Sequence, residues 1–244
     1  MSALLRIKRR QDDASQAVAQ TLVDMSPFKM DNKDRLTLGT GPTFKVQIGE
    51  DTVINEHVPK RAAMAFSKAF NDSFTAHPHS SVMMLDPDQV SPDPTHALVD
   101  WIDGNGKTKK PFPLKKDGLG FADTIDLYRH GLIFGMDRHV AAIRNAITAR
   151  INDNNAPLIG YEALNEVAKL PIDDRVYQGV VRKLEGLTYI GALDDDEAWP
   201  LWLKEHQEFC NAMASWKVTR EQRAEEARND KEAADWERDF PALV

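Results

Sequence analysis

Three stretches of the chain carry residues whose types and spacing could do chemistry. Gly104-Asn105-Gly106-Lys107-Thr108 ends in Gly-Lys-Thr, the tail of a loop whose backbone N–H groups and lysine cradle phosphates. Such a loop also needs a glycine five residues before its last one, where this chain has Trp101, and it must join a strand to a helix. Here a helical pattern leads instead into Lys109-Lys110-Pro111-Phe112-Pro113, so the expectation is a flexible connection between helices. His77-Pro78-His79 brings two imidazoles together, but proline fixes an extended backbone and no cysteine or carboxylate stands at a recognisable ligand spacing. His130 and His139 fall near helix ends, where contact with backbone carbonyls or solvation is expected. Cys210, the single cysteine, cannot form an intramolecular disulfide and is spaced like a helix core position. There is no glycine-framed nucleophilic serine, no paired-histidine metal helix and no locally activated cysteine. The sequence therefore points to no catalytic residue, no cofactor and no metal, and to a protein that is not an enzyme.

The elements around these residues follow from periodicity. Phe44, Val46 and Ile48 alternate with Lys45 and Gln47, the pattern of a half-buried strand, and Gly49-Glu50-Asp51 turns the chain into Thr52-Val53-Ile54. Pro59 stands where a first helical turn tolerates a missing N–H, and Ala62, Phe66, Phe70 and Phe74 follow at steps of four. Val82-Met83-Met84-Leu85 is a short apolar run bounded by turn residues and is expected to be a buried strand. Asp93-Pro94 suggests an N-cap and first-turn proline for a helix that turns Leu98, Trp101 and Ile102 inward.

Phe121, Ile125, Tyr128 and Leu132 predict a further helix that stops near Gly135. Asp137 is placed to cap the next one, with Val140, Ile143, Ile147 and Ile151 as its stripe. Later helices are expected from Tyr161, Leu164, Val167 and Ala168, and from Val176, Val180, Val181 and Leu184. A longer helix behind Asp194–Asp196 would carry Trp199, Trp202, Leu203, Phe209, Cys210, Met213 and Trp216 inward. Lys217 to Asp239 holds six basic and eight acidic residues with mostly alanine for apolar content, which predicts an exposed helix or frayed tail rather than a coiled coil. Trp236 and Phe240 could form a terminal docking segment.

These motifs resemble a BTB/POZ domain, in particular the divergent BTB-like domains abundant in filamentous fungi. In that family a glycine turn after a hydrophobic strand leads to a valine-histidine-lysine motif, with a serine eight residues past the histidine and a phenylalanine three further on. Here Gly49 ends the strand, Val58-Pro59-Lys60 occupies the motif, and Ser67 and Phe70 fall at those spacings. Pro59 replaces the histidine, and in Trp101-Ile102-Asp103-Gly104 Asp103 replaces the tyrosine of a tryptophan-leucine-tyrosine-like signature. The resemblance covers about Leu36 to Asp153. It implies an α+β fold, a helical cluster capped by a short β-sheet, here with additional C-terminal helices.

It also implies a protein-protein interaction module, a homo- or hetero-oligomeric scaffold in a nuclear regulatory complex, with a substrate adaptor of a cullin-type ubiquitin ligase as the alternative. Protein partners, a homodimer and a cullin are the partners to consider. Phe66, Phe70 and Phe74 are candidate contact residues that more simply fill the domain, and Trp199, Trp202 and Trp216 could pack internally or cover a partner. The organisation expected is a flexible N-terminal arm at 1–43, a BTB/POZ-like domain at 44–154, a C-terminal helical extension at 155–216 and a charged helical tail at 217–244. Val18, Leu22 and Met25 of the arm could dock on the domain or on a second copy.

A net charge of -7 argues against a phosphate-binding surface, so no direct nucleic-acid partner is expected. No apolar run approaches the ~20 residues that span a bilayer. The basic stretch Met1–Arg10 is too short in apolar residues for a secretory signal, and Asp12 and Asp13 come too early for a mitochondrial one, so it reads as a solvated tail. The expected location is nuclear or cytoplasmic.

Overall fold

The computed structural model of the chain describes residues 30–193 and 197–239. The expectations placed on Met1–Arg10, on Val18, Leu22 and Met25, on Asp194–Asp196 and on Phe240 lie outside the described residues. The fold is mixed α+β: ten helices and one three-stranded sheet among the described residues. Two compact units divide the chain, Met1–Ile147 and Thr148–Val244, and their boundary falls inside a helix.

The first unit is built around its sheet. β1 (Thr43–Ile48) and β2 (Thr52–Pro59) form the expected antiparallel hairpin, with Gly49 at φ 57°, a conformation that favours glycine, in the turn. Phe44, Val46 and Ile48 are buried, as their alternation predicts. β3 (Val82–Leu85) pairs parallel to β1 on its other side, giving the order β2-β1-β3. The expectation of a buried strand is corrected here: Val82 is 37% and Met84 58% exposed. An apolar run four residues long at a sheet edge has one neighbouring strand and one covered face, which composition alone does not distinguish from a central position.

Part of the expected arm is a helix. Asp31 accepts hydrogen bonds from Lys33 N and Asp34 N, and α1 (Asn32–Leu38) follows, with Arg35 and Leu38 buried one turn apart. α2 (Lys60–Phe66) and α3 (Lys68–Ala76) take the place of one continuous helix. Ser67 breaks it in extended geometry, caps α3 by accepting from Phe70 N at 3.2 Å, and donates through Oγ to Phe134 O at 2.7 Å. The serine and phenylalanine three residues apart are thus a cap and the residue whose backbone N–H it accepts. Phe66, Phe70 and Phe74 stay on the inner side of both pieces, and Phe44 meets Phe70 and Phe74 edge to face at 5.6 and 4.6 Å.

α4 (Pro92–Lys107) starts at Pro92 behind Ser91, two residues before the expected proline start. It buries Leu98, Trp101 and Ile102 as predicted. α5 (Phe121–Ile133) ends in a glycine motif: Gly135 sits at φ 63°, Gly135 N donates to Leu132 O, and Met136 N donates to Gly131 O. α6 (Ala141–Asn152) begins later than Asp137 requires for capping, because residues 137–140 form a turn, but Val140, Ile143, Ile147 and Ile151 are all buried.

The second unit is helical. α7 (Tyr161–Ala168) and α8 (Arg175–Tyr189) match their stripes, and Asp174 caps α8 by accepting from Val176 N at 2.7 Å. The expected long tryptophan helix is two helices, α9 (Ala198–Glu205) and α10 (Gln207–Asp239), separated at His206. His206 leaves helical geometry (φ -115°, ψ 64°) and its ring stacks on Trp202 at 4.0 Å. From Lys217 to Glu232, α10 is helical and mostly exposed, as its charge pattern predicts.

Candidate functional site

The Gly104–Thr108 stretch is interior structure. α4 runs on through Lys107, so the expected flexible connection is corrected. Asn105 is fully buried; its Nδ2 donates to Trp101 O at 3.1 Å and to Phe112 O at 3.3 Å, and its Oδ1 accepts from Phe112 N at 3.2 Å. Trp101 Nε1 donates to the same carbonyl, Phe112 O, at 2.9 Å. The two glycines admit close neighbours: a Cβ at Gly104 would stand 2.8 Å from Phe112 Cζ, and one at Gly106 would stand 2.7 Å from Ala62 Cβ. Lys107 pairs with Asp103 at 2.6 Å. The glycine backbone is packed against Phe112 and Ala62 and Lys107 is paired with Asp103, so the stretch is helix rather than a phosphate-cradling loop.

The arrangement closest to reactive chemistry joins α5 to the start of α4. Ser91 Oγ lies 3.3 Å from His130 Nε2, and His130 Nδ1 lies 3.0 Å from Asp126 Oδ1, the connectivity of nucleophile, base and orienting carboxylate. Its wiring serves another end. Ser91 N donates to Nε2 at 2.8 Å, which uses the lone pair a base needs and places the ring proton on Nδ1, directed at Asp126 O 2.8 Å away. Ser91 Oγ donates to Asp126 Oδ2 at 3.1 Å, and Arg129 ties Asp126 Oδ1 at 2.8 Å and Gln89 O at 2.7 Å. Desolvation alone would raise the Asp126 carboxyl, but hydrogen bonds from His130 and Arg129, together with the Arg129 charge, outweigh it and hold the group well below the usual carboxylate range. With His130 fully buried, the closed ring of bonds pins the chain entering α4 against α5. Asp126, Arg129 and His130 share a face by spacing alone; Ser91, far upstream in sequence, joins them only through the fold.

His139 departs from the expected solvation. Its ring lies 5.8 Å from Phe66 and 5.0 Å from Trp101, and burial, with Arg138 adding repulsion, pushes its pKa down to about 4. His77 and His79 are exposed, and the loop between them is held from below. Lys60 Nζ donates to Pro78 O at 2.5 Å and Ser80 O at 3.3 Å, and lies 4.2 Å over the Phe74 ring. Burial lowers the Lys60 pKa from its ordinary value. Among the described residues no group of three or more His, Cys, Asp or Glu side chains is placed to hold a metal ion.

The aromatic candidates separate by burial. Phe66, Phe70 and Phe74 are core. Trp202 is buried, with Nε1 donating to Asn165 Oδ1 at 2.7 Å and its ring at 5.0 Å from Phe209. Trp199 is half-buried and stacks on Trp202 at 5.5 Å, and the half-buried Trp216 donates to Gln178 Oε1 at 2.8 Å. Cys210 is half-buried rather than core.

The three most exposed large apolar side chains among the described residues, none of them singled out by sequence reasoning, are Tyr189, Ile190 and Leu201, at 70, 68 and 64% exposure. The first two close α8, and the Arg220 guanidinium lies 3.7 Å over the Tyr189 ring while its Nη1 forms an ion pair with Glu185 at 2.5 Å. Their apolar character was visible, but only the fold reveals that the helix ends before burying them. No helix among the described residues is long and apolar enough to cross a membrane. No protein-family model, no curated protein and no solved structure matches this chain.

Proposed function

We propose that this protein is a non-enzymatic interaction module of BTB/POZ-like type, a helical cluster capped by a short sheet, acting as an oligomeric scaffold in the nucleus or cytoplasm. The observation that carries the proposal is the exposed Tyr189-Ile190 pair with Arg220 stacked over the tyrosine. Tyrosine and arginine are the residue types over-represented at the energetic centres of protein interfaces, and an apolar neighbour beside them supplies area to bury. The polar groups with chemical potential point the same way by being spent internally: Asn105 on Phe112 and Trp101, His130 on Ser91 and Asp126.

The test is affinity purification of the tagged full-length chain from its native cells, with quantitative mass spectrometry, run beside Tyr189→Ala and Arg220→Ala. Stoichiometric recovery of a defined partner set that falls at least about tenfold in either variant is the expected result, the loss of an interface hot spot. A cullin in that set would make the scaffold a ligase adaptor. Recovery of the bait alone, together with a monomer in solution, would overturn the proposal.

A further inference from the structure

Arg35 sits on α1 with 1% of its surface exposed, and is among the largest fully buried side chains of the described residues. Its Nε, Nη1 and Nη2 are each sealed from solvent, and none meets a hydrogen-bond acceptor or a carboxylate among the described residues. Long arginines usually bury the stem and keep the head in water; here the head itself is covered. A guanidinium cannot neutralise itself near neutral pH, so a sealed, unpaired one is costly unless an anion meets it. Desolvation lowers the Arg35 pKa from its ordinary value, the response of a covered cation.

The surroundings hold α1 firmly. Leu38, one turn on, is buried, and a Cβ at Gly39 would stand 2.6 Å from Gly106 O, so the helix end lies against the backbone of α4. Beyond it, Gly41 at φ 98° lies next to the Arg61 side chain, whose Nε is 3.6 Å from its ideal Cβ position, and the Lys107 stem passes 3.3 Å from that of Gly39. Cationic side chains thus line the C-terminal end of the helix, with Asp103 answering Lys107.

We infer that Arg35 is a binding residue for a carboxylate, which would lie side-on against its Nε and Nη atoms. The planar fork presents parallel N–H groups at the spacing of two carboxylate oxygens, which a lysine could not. One negative charge neutralises one guanidinium. A phosphate dianion in the same position would leave an excess charge buried, so the monoanion is favoured on desolvation grounds.

The test follows thermal unfolding of the full chain in formate, acetate and propionate, with chloride making up constant ionic strength and inorganic phosphate as the comparison anion. For the wild type a saturable rise of about 3 °C or more is expected at ten times the apparent Kd. Arg35→Met should start at a higher midpoint than the wild type and lose the response. Arg35→Lys, which keeps the charge and the stem but not the fork, should respond with an apparent Kd at least about tenfold weaker. Identical responses in wild type and Arg35→Lys, or no carboxylate response beyond that to chloride, would overturn the assignment. A response to phosphate alone would overturn its monoanionic part.

Discussion

A single methyl group at Gly106 tests whether Gly104-Asn105-Gly106 is an internal packing surface. In Gly106→Ala the new Cβ would stand 2.7 Å from Ala62 Cβ, and Ala62 is fully buried on α2. Carbon atoms pack best at about 3.5–4.0 Å, so α2 and α4 must separate by most of an ångström or distort. Overpacking of this kind costs about 1–3 kcal/mol, against a gain of about 1 kcal/mol for replacing glycine by alanine within a helix. The net expectation is a loss of about 0–2 kcal/mol.

Gly186→Ala is the matched control. It lies within α8, has nothing within 4 Å of its Cβ position, and should gain about 0.5–1 kcal/mol from helix propensity alone. Hydrogen exchange on the intact chain reads each unit separately, which matters because a two-unit chain has no single unfolding free energy. Amides of α2 and α4 should exchange faster in Gly106→Ala, and those of α8 slower in Gly186→Ala. If Gly106→Ala protects its own unit as well as the wild type does, the close helix contact is not present and the reasoning fails.

Ser67→Ala removes the α3 cap and one of the two donors to the Phe134 carbonyl, which keeps Ala69 N at 3.2 Å, so the first unit should lose about 1–2 kcal/mol, seen as a lower urea midpoint at unchanged m. His139, with a folded pKa of about 4 against 6.5 unperturbed, contributes stability that is complete above pH 6.5 and declines as pH falls toward 4. That loss reaches about 3 kcal/mol at most and should be absent in His139→Phe across the same urea-versus-pH series. The Asp126 carboxyl, held low by His130 and Arg129, adds a further loss only below its ordinary pKa of 3.8, and Asp126→Asn should flatten that lower limb. Asn105→Leu strips Phe112 N of its acceptor and should destabilise the first unit by about 2 kcal/mol, with a shift in Trp101 fluorescence as the packing around the 110–113 segment loosens.

By itself the sequence determined what local physics determines. Alternation placed Phe44, Val46 and Ile48 inside the hairpin, and helical spacing placed Val140, Ile143, Ile147 and Ile151, and later Val176, Val180, Val181 and Leu184, on buried faces. Period two and period 3.6 are properties of the backbone, so they survive whatever the chain packs against. Gly135 ended its helix because only a residue at ease with positive φ closes that motif.

Tertiary structure decided the rest. Ser67 split a continuous phenylalanine stripe because the Phe134 carbonyl, on another element, waited for its hydroxyl. Gly-Asn-Gly-Lys became helix rather than loop because Ala62 and Phe112 press on positions where only glycine leaves room. Ser91 joined Asp126 and His130, and Arg35 came to be sealed, through packing between distant segments. Contacts at such separations depend on which faces meet, and no spacing within a single segment encodes that.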